Sequence, residues 1–188
     1  MTSINASPGG RFVMDTQPDV VALLSRAIDQ TAGLLEEVSP DQYDQPSTCA
    51  DWTVGQLVQH VVASPRNFVD MFSGKDVDWA HPPALGENPA ADFRSGADEL
   101  LEHLRSQDGD ASSSAALPEF AVHSWDLATS IGSSRLLDDE VATHALAFMS
   151  NNLTPENRSG VFKPEVHVDD DRSVQDRLAA FAGRQPRD

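Results

Sequence analysis

The stretch L-P-E-F-A-V-H-S-W-D-L-A-T-S-I-G, residues 117–132, opens with leucine and proline, closes with a glycine and carries a helical pattern between them. Phe120, Val122, Trp125, Leu127, Ala128 and Ile131 supply its apolar content. With Pro118 as the first helical residue, Glu119 falls in the first turn, where the helix dipole favours any carboxylate. Glu119 and His123 then project side by side from one face. A carboxylate and an imidazole so placed suit a divalent cation such as zinc, nickel, manganese or iron. The pair also arises often by chance, so a metal site needs a further ligand from elsewhere in the chain.

Upstream, residues 106–116 are mostly Ser, Asp, Gly and Ala, and read as a loop. Before them, Asn88-Pro89 opens a helix to about Arg105, with Phe93, Ala97, Leu100, Leu101 and Leu104 inward. Residues 74–88 form a long connection of the kind that carries a chain from one end of a bundle to the other. Thr53-Val-Gly-Gln56 has capping-box spacing and starts a helix with Val54, Leu57, Val58, Val61, Val62, Phe68, Val69 and Phe72 on one stripe. His60 lies at the edge of that stripe, and Pro65 falls inside the helix, where it is expected to kink it. The first helix spans about Pro18 to Val38 and stops at Ser39-Pro40.

Downstream, Asp138 to Asn151 reads as a helix with Val141, Leu146, Ala147 and Phe148 inward. Val161 to Val168 alternates but contains Pro164, which makes it an extended edge segment. Ser173 caps a last helix, Val174 to Ala182, ended by Gly183. Residues 1–17 read as a flexible tail, and residues 18–188 as one domain. The fold class is all-α, because helices with apolar stripes bury them most economically against each other in a four-helix bundle.

The formal net charge of −17 repels phosphate backbones and anionic headgroups, which argues against nucleic acid and membrane partners. No apolar run is long enough to span a bilayer and no secretory signal is visible, so the expected location is cytoplasmic. The single cysteine, Cys49, forbids an internal disulfide and any multi-cysteine metal site. It reads as a structural loop residue, since no basic residue is adjacent in sequence.

His60 is the natural third ligand, inward-facing on another helix. Burying two imidazoles and a carboxylate without a partner is costly. His81, His103, His144 and His167 have weaker claims, lying in a loop, off a stripe, or without a carboxylate on the same face.

S-T-C-A-D-W-T-V-G-Q-L-V-Q-H-V-V (47–62) resembles the T-P-C-x-x-W-T-V-x-x-L-x-x-H stretch of a known family. E-F-A-V-H-S-W-D-L-A-T-S-I-G (119–132) resembles its E-L-x-V-H-G-W-D-L-A-x-A-T-G stretch, and D-R-L-A-A-F-A-G-R near the C-terminus also fits. The chain is thus similar to the DinB-like (YfiT-like) superfamily, and to the N-terminal metal domain of mycothiol-dependent maleylpyruvate isomerase. The resemblance implies a four-helix bundle with a long crossover connection, followed by the short C-terminal extended segment and helix. It also implies a divalent metal, usually zinc, on His60, Glu119 and His123. Trp52 and Trp125 would be core anchors near the site, and Asp126 a hydrogen-bonding neighbour of it. Four departures stand out: Ser124 for the usual glycine, Thr48 for the usual proline, Pro65 inside the second helix, and a short polar segment before Glu119 that implies a late start to that helix.

The implied chemistry is activation of a low-molecular-weight thiol such as mycothiol toward a small electrophile, as in an S-transferase or isomerase. The isomerase activity itself is not carried over, since that enzyme has a further C-terminal domain. The alternatives are a metal-dependent hydrolase using metal-bound water, and a metal-binding or stress-related module without turnover. A homodimer is compatible with any of these. Catalytic and cofactor-binding residues beyond the metal ligands are left unassigned.

Overall fold

A computed structural model describes residues 19–49, 52–107, 109–158 and 162–186, with the Asp110 side chain excepted. The tail at 1–17, Pro18 and Val161 lie outside the described residues. Among the described residues there are seven α-helices: α1 (Val20–Glu37), α2 (Val54–Phe72), α3 (Pro89–Ser106), α4 (Asp110–Ile131), α5 (Asp139–Asn152), α6 (Pro155–Arg158) and α7 (Val174–Phe181). A 3-10 turn, Pro40–Gln42, lies between α1 and α2. No strand occurs among the described residues, and no described helix is long and apolar enough to cross a membrane.

The helix starts follow local hydrogen-bond chemistry. Asp19, Thr53, Asn88, Asp138 and Ser173 each accept a backbone N–H of the following first turn. At α2 the box is reciprocal: the Thr53 hydroxyl accepts from Gln56 N–H at 3.2 Å, and Gln56 Oε1 from Thr53 N–H at 2.9 Å. α7 ends at Gly183, whose φ of +82° and close approach to the Lys163 carbonyl exclude a side chain.

α1 packs against α3 and α4, and α2 packs against the same two helices, so four helices close a ring around one core. Leu24, Leu34, Leu57, Phe93, Leu100 and Leu127 are all fully buried there. Each such burial contributes about 1.5–3 kcal/mol. α1 and α4 run in the same direction, with Thr31 meeting Ser124 and Glu37 meeting Ser133. α5 lies on α4 and carries α7. The extended segment 162–168 is tied to α7 by Val166 N–H donating to Ala180 O, and pairs with no strand.

α4 departs from the sequence expectation. It begins at Asp110, not Pro118, and takes in most of the stretch read as a loop. Glu119 is therefore in the middle of a helix and not in its first turn. Ser113, Ala116 and Leu117 are buried, so tertiary packing outweighs the polar composition of that segment. Pro118 sits in the helix interior, where it removes one backbone bond that the packing offsets. α2 likewise continues through Pro65, whose ring lies beside Gly96 of α3. In α5 the inward face is Val141, Ala142, Ala145 and Met149; Leu146 and Phe148 are half-buried and Ala147 is exposed.

Ser124, fully buried, shares a 2.9 Å hydrogen bond with the Thr31 hydroxyl, which itself donates to Ala27 O. Thr31→Val should destabilise the protein by about 1–2 kcal/mol by urea unfolding, with part of the loss recovered in the Thr31→Val/Ser124→Ala double variant. A loss in the double variant equal to the sum of the Thr31→Val and Ser124→Ala losses would show that the two hydroxyls are not coupled.

Candidate metal centre

The antiparallel approach of α2 to α4 brings His60, Glu119 and His123 together. Their ligand atoms lie within 4.8 Å of one another. His60 Nε2 is 2.8 Å from Glu119 Oε1, and His123 Nε2 is 3.6 Å from Glu119 Oε2. Donors around a tetrahedral ion with bonds of about 2.0–2.1 Å stand roughly 3.4 Å apart, so the spacing suits a cation with little rearrangement. All three side chains are largely buried, but Glu119 keeps 18% of its surface and His60 12%, so solvent reaches the group.

Each member has a support. Ser64, one turn after His60 on α2, reaches both Glu119 Oε1 (2.6 Å) and the His60 carbonyl (3.0 Å) with its hydroxyl. His123 Nδ1 donates to Asp126 Oδ2 at 3.0 Å, which leaves Nε2 turned toward Glu119. Asp126 is fully buried and accepts from the Arg184 guanidinium at 2.8 Å and from the Thr48 hydroxyl at 2.8 Å. The Thr48 departure from the family pattern thus adds a hydrogen bond to Asp126.

A second grouping, Cys49, His123 and Asp126, also has its potential ligand atoms within 4.8 Å of one another. Its chemistry is less suited to a cation. Burial and the charge of Asp126 push the Cys49 thiol up to about 12, with Arg184 opposing, and only a thiolate is a good ligand. Arg184 Nη2 lies 3.3 Å from Cys49 Sγ and already occupies Asp126. A cation there would meet a fixed guanidinium.

The electrostatics of the first group are those of a carboxylate held between two imidazoles. Burial works to raise the Glu119 carboxyl, but the charges of His123 and His60, with hydrogen bonds from His60 and Ser64, carry it well below the usual carboxylate range. Burial works against a charged His60 ring, yet the charge and hydrogen bond of Glu119 outweigh it and raise His60 above its ordinary value. Burial likewise opposes the Asp126 carboxylate, while the His123 hydrogen bond and Arg184 charge hold it low.

Trp52 and Trp79 lie against His60, with ring centroids 4.9 and 5.9 Å away. Trp125 is buried and donates to Asp176 of α7, so it anchors that helix. The remaining histidines are elsewhere: His81 is exposed beside Asp78, His144 bonds its own helix at Glu140 O, His103 is near the end of α3, and His167 is exposed. Arg184, Ser64 and Trp79 had no role in the sequence reading. Arg184 closes the matched D-R-L-A-A-F-A-G-R stretch, and Ser64 stands one turn from His60, so both were visible as residues. Their partners were not, being 58 and 55 positions away.

A metal competes with protons for these imidazoles. Because His60 is raised, zinc affinity should climb as pH rises from 6 through the raised His60 value, measured by chelator competition. In the metal-free protein the signs are opposite for the two groups. The stability from the lowered Glu119 is present above the ordinary carboxylate value and lost as pH falls; that from the raised His60 is present below its ordinary value and lost as pH rises. A zinc affinity independent of pH between 6 and 8 would contradict ligation through His60.

The family model of the mycothiol maleylpyruvate isomerase N-terminal domain matches residues 24–128, which include all three residues of the first group. Two uncharacterized proteins of Mycobacterium tuberculosis, from strains CDC 1551 and H37Rv, are each 31% identical over 180 residues. The alignment covers 86% of this chain and 96% of either relative. No solved structure matches.

Proposed function

This chain belongs to the mycothiol maleylpyruvate isomerase N-terminal domain family, and we propose that it binds one divalent metal, zinc by preference, on His60, Glu119 and His123 to activate a low-molecular-weight thiol. The observation that supports this reading most is the meeting of these three donors from two helices, with the far nitrogen of His123 held by buried Asp126. Bound there, a Lewis-acidic ion lowers the pKa of a thiol and so supplies a nucleophile near neutral pH.

The protein's own residues do the rest. Glu119 offsets the cation's charge, and the two imidazoles contribute neutral nitrogen donors. Asp126 fixes the His123 tautomer that leaves Nε2 free, while Arg184 keeps Asp126 ionised. Trp52 and Trp79 restrict water around His60. Three protein donors would leave one or more positions on a bound ion open, which is the mark of a working site and not of a purely structural one. The net charge of −17 disfavours an anionic thiol, so a neutral, sugar-bearing one such as mycothiol is the better cosubstrate. The reaction we propose is transfer of that thiol to a small electrophile.

Elemental analysis of protein purified without chelator should show about one equivalent of metal, and His60→Ala, Glu119→Ala and His123→Ala should each lose most of it. Full retention in all three variants would exclude this ligand set. Cobalt-substituted protein should develop a sulfur-to-metal charge-transfer band with millimolar thiol. A spectrum unchanged by any small thiol would remove the thiol reading and leave the metal reading intact.

A further inference from the structure

Residues 74–88 do not take a free path from α2 to α3. Lys75 Nζ pairs with Asp70, and Trp79 lies edge-on to Phe68 at 5.3 Å as well as against His60. The Gln59 side-chain amide then donates to the carbonyls of Pro82 (3.0 Å) and Pro83 (2.8 Å). Gln59 immediately precedes His60, so the crossover is tied to α2 beside the three donors. Asp78 accepts from Ala80 N–H and pairs with His81, which fixes the chain on either side of Trp79. Trp52, the other ring against His60, comes from the loop before α2. Both tryptophans are half-buried and keep part of their surface toward solvent.

We infer that Trp79, with Trp52, determines which electrophile reaches the metal centre, admitting an uncharged planar group and disfavouring a dianionic acid. This deepens the metal-site reading above and rests on it. Two properties of the surroundings carry it. The first is shape: aromatic rings that keep an open edge or face favour a flat partner at offset or edge-on geometry. The second is charge. A metal ion on the three donors would answer one carboxylate of a dianion; the second needs another cation, and the Arg184 guanidinium, 9% exposed, is already committed to Asp126 and Cys49. The basic residues of α2 and the crossover, Arg66 and Lys75, are paired with Glu99 and Asp70. Asp78, next to Trp79, is an exposed carboxylate held low by its hydrogen bond to His81, and adds negative charge at the rim.

The test uses zinc-loaded full-length protein and its Trp79→Ala and Trp79→Phe variants, with ligand binding followed by saturation-transfer NMR. The probes are 4-nitroanisole, planar and neutral, and maleate, planar and doubly charged. Nitroanisole should bind about tenfold more weakly to Trp79→Ala and within about twofold of wild type to Trp79→Phe. Maleate should bind the wild type about tenfold more weakly than nitroanisole. Undiminished nitroanisole binding by Trp79→Ala, or maleate binding as tight as nitroanisole, overturns the role of Trp79 while leaving the metal reading in place. Zinc content of the same samples separates the two: a wild type that carries no zinc overturns both.

Discussion

Glu119 is a carboxylate placed inside a helical bundle, and such a charge is tolerated only when compensated. His60 and Ser64 reach it from α2, and His123 reaches it from its own helix. His123 in turn depends on Asp126, and Asp126 on Arg184 beyond the end of α7 and on Thr48 before α2. Four separate parts of the chain are thereby joined through one buried acid and its neighbours. The same arrangement that satisfies the charge in the free protein presents two nitrogens and a carboxylate to a cation. A cation at that point would replace the proton on His60 as a compensating charge.

The path of the crossover has a consequence for access. A direct turn from α2 to α3 would leave His60 open to water on one side. The return of residues 74–88 along α2 instead places Trp79 against His60 and Phe68 and fixes the segment through Gln59. The bundle provides the donors, and the crossover shapes what can approach them. Loops commonly carry specificity on a rigid scaffold in this way.

Much of this was legible in the sequence because the signals were local. The Thr53/Gln56 box, the Asn88-Pro89 pair, Asp138 and Ser173 mark helix starts through side chains three or fewer residues from the N–H they satisfy. That His60, Glu119 and His123 could meet was legible because two share a helix face and the third lies at the edge of an apolar stripe. The start of α4 was not legible. Its first turns are serine and alanine, and only burial of Ser113 and Ala116 against the bundle makes them helical. On α5 the expected inward set of Val141, Leu146, Ala147 and Phe148 holds only at Val141, because the buried stripe runs through Ala142, Ala145 and Met149 instead, a rotation of the helix that local composition does not fix. Arg184 and Trp79 act across the fold, and no local pattern announces a partner so distant in sequence.

The position of a bound metal decides the role of Glu119. Crystals grown with zinc, with diffraction data collected on either side of the zinc absorption edge, locate the ion directly. One strong anomalous peak bounded by Nε2 of His60, Nε2 of His123 and the Glu119 carboxylate is the result expected. A peak instead among Cys49, Asp126 and Nδ1 of His123, or no peak at full zinc saturation, would contradict the assignment.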